Sequence, residues 1–216
     1  LIQEIFGVNE QIQDVARRLA GLGFVVAAPD MMHRGGAWQT YPYDDFPGAR
    51  QGMSHLTEEL VVADMAAAFD YLAAQPDVDP ARMGIMGFCF GGRASLVASY
   101  RLPERVKAAA LFYGGGIVAD APTAPIHHVG EVTCPVIGFF GAEDKHIPEA
   151  HVRRLAEALD AAGVENRIYF YPGADHAFLR DRSHAFEPLS AMDAWHRVSH
   201  FFFRHLGPVP DVVWEG

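Results

Sequence analysis

The sequence predicts an α/β fold: a mostly parallel sheet covered by helices on both faces. Two observations carry this. Short apolar runs alternate with helix-length segments about six times along the chain. No internal repeat, low-complexity tract or linker interrupts that alternation, so residues 1–216 read as one domain. Half of the residues are hydrophobic, enough for a sizeable core.

The elements follow in order. Leu1 to Ile5 reads as the end of a strand. Asn9 can cap a helix running to about Leu22, with Ile12, Val15, Ala16 and Leu19 on one face. Gly21 and Gly23 end it. Phe24 to Ala28 reads as a short buried strand, broken by Pro29-Asp30. Met31 to Met53 has no clean period and is rich in Gly, Pro and aromatics. Ser54 to Ala74 reads as a helix with its acidic residues early, where the helix dipole favours them. Strands are expected at Met83–Phe88, Lys107–Tyr113, Pro135–Phe140 and Arg167–Tyr171. Helices are expected at Gly92–Tyr100, Pro148–Ala162 and Pro188–Leu206, with an irregular tail after Gly207.

A net charge of −10, from 17 basic and 27 acidic residues, argues against nucleic acid or anionic membranes as partners. An acidic substrate would need local arginines. Two cysteines, Cys89 and Cys134, make no disulfide framework and point to a reducing compartment. No apolar run approaches the roughly 18 residues of a membrane helix, and no basic-then-apolar signal segment opens the chain. The first residue is Leu1, already inside an apolar run, which reads as a start from which N-terminal strands are missing.

The chemistry centres on Gly87-Phe88-Cys89-Phe90-Gly91-Gly92, between a predicted strand and a predicted helix. G-x-C-x-G in that context is a nucleophile elbow carrying a thiol where serine is usual. Gly87 and Gly91 suit it, since a Cβ at either would clash in so tight a turn. The bland alternative is a glycine-rich turn with a buried cysteine. The other strand ends decide against it. Gly141-Ala142-Glu143-Asp144 and Gly173-Ala174-Asp175-His176 follow the last two predicted strands, and functional groups gather at carboxyl ends in such sheets. Cys89, Asp144 and His176 thus stand in the chain order of the α/β-hydrolases. His176 would take the thiol proton, and Asp144 would fix the imidazole tautomer. Glu143 and Asp175 are decoys beside triad positions; Asp175 is too near His176 in sequence to orient its ring.

Other signals carry less. His196 and His200 are spaced for a shared helix face, but no third ligand accompanies them. His127-His128 reads as surface and Cys134 as a buried strand-start thiol. Gly114-Gly115-Gly116 lacks the lysine of a phosphate loop. No metal or cofactor is expected.

With Gln3-Glu4-Ile5-Phe6-Gly7-Val8-Asn9, Pro29-Asp30, the cysteine elbow, Asp144 and Gly173-Ala174-Asp175-His176-Ala177-Phe178, the chain resembles the dienelactone hydrolases from about residue 1 to 206. The resemblance implies a cytoplasmic hydrolase that opens an anionic enol lactone (a carboxymethylenebutenolide) during aromatic-compound degradation. It implies that Glu4 bonds the resting thiol and swings when substrate binds. The backbone N–H groups of Ile5 and Phe90 would form the oxyanion hole. Arginines would hold the substrate carboxylate: Arg180, with Arg50 or Arg34 as the second. Trp38, Tyr41, Tyr43 and Phe46 would line the pocket or anchor the loop. The Arg34–Met53 stretch departs from the family pattern, which keeps open a broader esterase or lactonase acting on another activated ester. Class I glutaminases also use an elbow cysteine, but the His-x-Glu pair they need is absent. A hydrolase fold kept as a binding module is disfavoured by the complete set of catalytic residue types. The oligomeric state stays open between monomer and homodimer.

Overall fold

A computed structural model describes residues 1–207; the sequence expectation for the tail beyond Gly207 lies outside the described residues. Four parallel strands, β1 (Ile85–Phe88), β2 (Ala109–Phe112), β3 (Val136–Gly141) and β4 (Asn166–Tyr171), form a sheet in the order β1-β2-β3-β4. Every residue of β1, β2 and β3 is buried, which requires cover on both faces. The helices are α1 (Glu10–Gly21), α2 (Phe46–Met53), α3 (Glu58–Ala73), α4 (Phe90–Arg101), α5 (Glu149–Ala161) and α6 (Pro188–Leu206). Helix α4 packs on β1 and β2, α5 on β4 and α6 on β3.

The termini of these helices follow from local chemistry. Asn9 caps α1, its side-chain oxygen accepting from the Ile12 N–H at 3.3 Å. Helix α3 starts at Glu58, not Ser54, because Thr57 takes the cap and accepts from Leu60 N–H. Helix α4 starts at Phe90, immediately after the elbow cysteine, and not at Gly92.

Other expectations are corrected as well. Phe24–Ala28 is not a strand. Its Phe24 ring packs on Phe203 at 5.3 Å and Val25 is half-exposed, so it looks apolar, but its backbone lacks a ladder partner among the described residues. The aperiodic Met31–Met53 stretch contains α2. Asp45 caps that helix by accepting from Gly48 N–H at 2.9 Å, with Pro47 in its first turn. Gly48 and Gly52 blur its apolar period.

The opening segment matters most for the site. Ile2 N–H donates to Met86 O at 2.8 Å, and Phe88 N–H donates to Ile2 O at 3.2 Å. This single parallel bridge, rather than a longer strand, lays residues 2–5 beside β1. Gln3 locks it: fully buried, its amide donates to Glu4 O at 3.1 Å and accepts from Met31 N–H at 3.2 Å. Glu4 and Ile5 are thereby carried to the carboxyl end of β1, where the elbow begins.

Candidate active site

The elbow is forced by steric contact. Cys89 sits at φ 53°, ψ −112°, left-handed backbone that a non-glycine residue adopts at a cost. Its N–H donates to Phe112 O at 2.9 Å, tying the turn to β2. A Cβ on Gly87 would lie 2.2 Å from Gly91 O, and one on Gly91 would lie 2.4 Å from Ile2 O. The turn therefore closes only with glycine at both positions.

Asp144 and His176 meet across the carboxyl ends of β3 and β4. His176 Nδ1 and Asp144 Oδ2 are 2.7 Å apart. The other carboxylate oxygen accepts from His146 N–H at 2.8 Å and Ile147 N–H at 3.2 Å. Asp144 is buried, and burial alone would raise its carboxyl; its bonds and charge interactions, those with His176 foremost, hold it below the ordinary 3.8. Burial works against the charged imidazole of His176. The Asp144 hydrogen bond, with Cys89 acting in the same direction, overrides it and pushes His176 up to about 10. Asp175 instead accepts from the backbone N–H of His176 at 2.6 Å, and Glu143 is exposed.

The N–H groups of Ile5 and Phe90 have no hydrogen-bond partner among the described residues. Phe90 is the first residue of α4, where the helix supplies no acceptor. Glu4 is buried and paired with Arg180, Oε1 to Nη2 at 3.0 Å. The guanidinium also lies over the Tyr43 ring at 4.0 Å and the Phe6 ring at 5.3 Å. Its Nε is buried without a partner. Loop aromatic Tyr43 thus braces Arg180, Phe46 packs on Phe6 at 5.3 Å and Trp38 is exposed.

The structure does not bring the other arginines into this cluster. Arg34 is engaged by Asp64 through two bonds of 2.5 and 2.7 Å. Arg50 is exposed on the last turn of α2. His196 and His200 are exposed on α6. A groove of about 390 Å³ lies elsewhere, between Phe24–Ala27 and the end of α6, so the cysteine site is not in that groove.

Sequence reasoning missed two residues. Gln3 was legible only as part of a motif, since its work is to bridge two segments far apart in sequence. Tyr113, buried just past β2, has its ring 5.2 Å from that of His176; its position before Gly114-Gly115-Gly116, at a strand's carboxyl end, was the available signal.

A parallel sheet with a cysteine elbow, a carboxylate and a histidine at its carboxyl edge is the arrangement of the α/β-hydrolase fold. The model of the dienelactone hydrolase family matches residues 1–206. The chain belongs to the dienelactone hydrolase family and is a hydrolase acting on esters or lactones. A Synechocystis sp. protein named "Putative carboxymethylenebutenolidase" is 37% identical over 95% of this chain and 85% of its own length. One of the same name from Escherichia coli K12 is 33% identical over 96% and 76%. Among solved structures, a "Putative Dienelactone Hydrolase" from Klebsiella pneumoniae superposes with TM-score 0.84 at 35% identity, covering 93% of this chain and 84% of that one. A "Dienelactone Hydrolase-like Promiscuous" phosphotriesterase, P91, from metagenomic libraries gives TM-score 0.80 at 25% identity, covering 95% and 85%. No helix among the described residues is long and apolar enough to cross a membrane.

Proposed function

We propose that the protein opens an anionic enol lactone of the dienelactone type through a thioester on Cys89, in the cytoplasmic breakdown of aromatic compounds. The observation that carries this reading is the buried Glu4–Arg180 pair at the elbow, with Arg180 Nε left without a partner. Such a guanidinium suits a ligand carboxylate, which would compete with Glu4 for it.

In this reading the Cys89 proton passes to His176, and Asp144 stabilises the imidazolium. Sγ attacks the lactone carbonyl while Ile5 and Phe90 N–H groups receive the oxyanion. The carbonyl–oxygen ring bond breaks and the enolate leaves, taking the proton from His176. Water then attacks the thioester, His176 accepts its proton, and the Cys89 thiolate departs. Glu4, released from Arg180 by the substrate carboxylate, would assist thiolate formation. The exposure of Arg50 on α2 and the Asp64 pairing of Arg34 weigh against either as a second clamp.

A second reading is a broader esterase or lactonase. It is favoured by Arg180 being the only arginine among the described residues that pairs within the cluster, and by the likeness to P91, a protein described as promiscuous. The ultraviolet decay of cis- and trans-dienelactone, measured with wild type, Cys89→Ala and an aryl acetate control, separates the two. Cys89-dependent decay supports the lactone; Cys89-dependent cleavage of the aryl acetate alone supports the broader enzyme.

A further inference from the structure

A second groove, of about 240 Å³, runs between the edge strand β4 and helix α6. It lies at the opposite end of the sheet from the catalytic cluster. Val136 and Asn166, which line it, are the first residues of β3 and β4, whereas Asp144 and His176 follow the carboxyl ends of those strands. His196 and His200, spaced for one face of α6 and unused by the mechanism, both open onto it.

The groove gathers positive groups on a chain whose net charge is −10. Arg167 enters from β4, and Arg197 and Arg204 from α6. Their partners differ. Arg197 is held: its Nε donates to Asp193 at 2.5 Å, the same carboxylate oxygen accepts from Tyr171 O–H at 2.7 Å, and the guanidinium lies over the Tyr169 ring at 4.3 Å. Arg204 reaches Glu165 only at 3.4 Å, and His205 reaches the same oxygen at 3.7 Å. Burial lowers the His205 imidazole from the ordinary 6.5, so it adds a ring and little charge near neutral pH. Arg167 pairs with no carboxylate among the described residues; it donates to the neighbouring Asn166 O at 2.8 Å. The helix dipole accounts for cations in the last turn of α6, Arg204 and His205. It does not account for Arg167 on the strand, or for His196 and His200 farther up the helix.

Donors thus converge from two sides over an apolar floor, the half-buried Phe201 with Val136 and Ile137. A carboxylate offers two oxygens in one plane. A phosphate monoester offers three in a tetrahedron, with up to two negative charges, and suits guanidinium forks that arrive from different directions. An organic body on the ester would cover the floor.

We propose that the groove between β4 and α6 is a binding site for a small phosphate monoester, whose phosphate is held by Arg167 and Arg204 and whose apolar body lies on Phe201. This site is separate from the catalytic cluster and does not depend on which ester or lactone that cluster cleaves.

The test is isothermal titration calorimetry with phenyl phosphate, benzoate and inorganic phosphate on wild type, Arg167→Gln and Arg204→Gln. Phenyl phosphate should bind wild type, and either substitution should raise its Kd about tenfold, the cost of one hydrogen-bonded charge pair. Benzoate, with the same body and a flat monoanionic head, should bind more weakly. Inorganic phosphate should bind about fivefold more weakly for want of the apolar contact. Both variants should melt close to wild type and keep its rate on an activated ester, since Arg167 and Arg204 are exposed and outside the catalytic cluster. Absence of phenyl phosphate binding to wild type would overturn the proposal. So would a Kd unchanged in both variants, which would put the ligand elsewhere, the active site included. Benzoate binding as tightly as phenyl phosphate would overturn the phosphate assignment, and inorganic phosphate binding as tightly would overturn the role of Phe201.

Discussion

Glu4 Oε1 and Arg180 Nη2, 176 residues apart in sequence, meet at 3.0 Å, both side chains buried. Each neutralises a charge that could not otherwise be kept out of water. Removing one partner strands the other, at about 3–5 kcal/mol. Arg180→Met should therefore lower the melting temperature markedly. The double variant Glu4→Gln/Arg180→Met should recover much of the loss. Additive losses in a thermal double-mutant cycle would show that the pair is not coupled.

The elbow glycines give a second prediction. Gly87→Ala drives a methyl to 2.2 Å from backbone, whereas a Cβ on Gly115 meets nothing within 4 Å. Gly87→Ala should destabilise by about 3 kcal/mol or prevent folding, and Gly115→Ala should stay within about 0.5 kcal/mol of wild type. Urea denaturation of the two variants checks this.

Asp144 holds the imidazole and satisfies two turn N–H groups with its other oxygen. Asp144→Asn keeps an acceptor for the turn but loses the charge facing His176. Its kcat should fall on the order of 10²–10⁴-fold while the fold persists. Circular dichroism beside steady-state rates on an activated ester separates the two effects.

Stability should depend on pH through the same pair. His176 is raised from an ordinary 6.5 to about 10. Its contribution is therefore complete below about pH 6.5 and lost as pH climbs through about 10. Asp144 is lowered, so its contribution is present above about pH 4 and lost as pH falls through its native value. Melting curves from pH 6 to 10 should fall more steeply for wild type than for His176→Gln; parallel slopes would contradict the pairing.

Much of this was legible in sequence because it is local. The strand–turn–helix around Cys89, the Asn9 cap and all of α6 depend on neighbouring residues. The Asp144–His176 bond was anticipated from strand ends, since parallel sheets collect such residues at one edge. The failures are non-local. Phe24–Ala28 has a strand's composition, but strand formation also needs a backbone partner. Helix α2 is held by a cap and a proline rather than by periodicity. The choice between Arg34 and Arg50 could not be read from a loop whose path depends on Asp64 and Asp30, whose carboxylate accepts from Trp38 N–H at 2.6 Å. The Glu4–Arg180 pair joins two ends of the chain, and the motifs that carry each residue say nothing of their contact.

The proposed mechanism turns on Cys89 as the nucleophile. Rapid-quench mixing with an aryl acetate, followed by intact and peptide mass spectrometry, tests it most directly. The expected result is a transient acetyl adduct on Cys89 and none on buried Cys134, whose thiol burial pushes up to about 11. Undiminished turnover by Cys89→Ala, with no adduct on Cys89 in wild type, would contradict it.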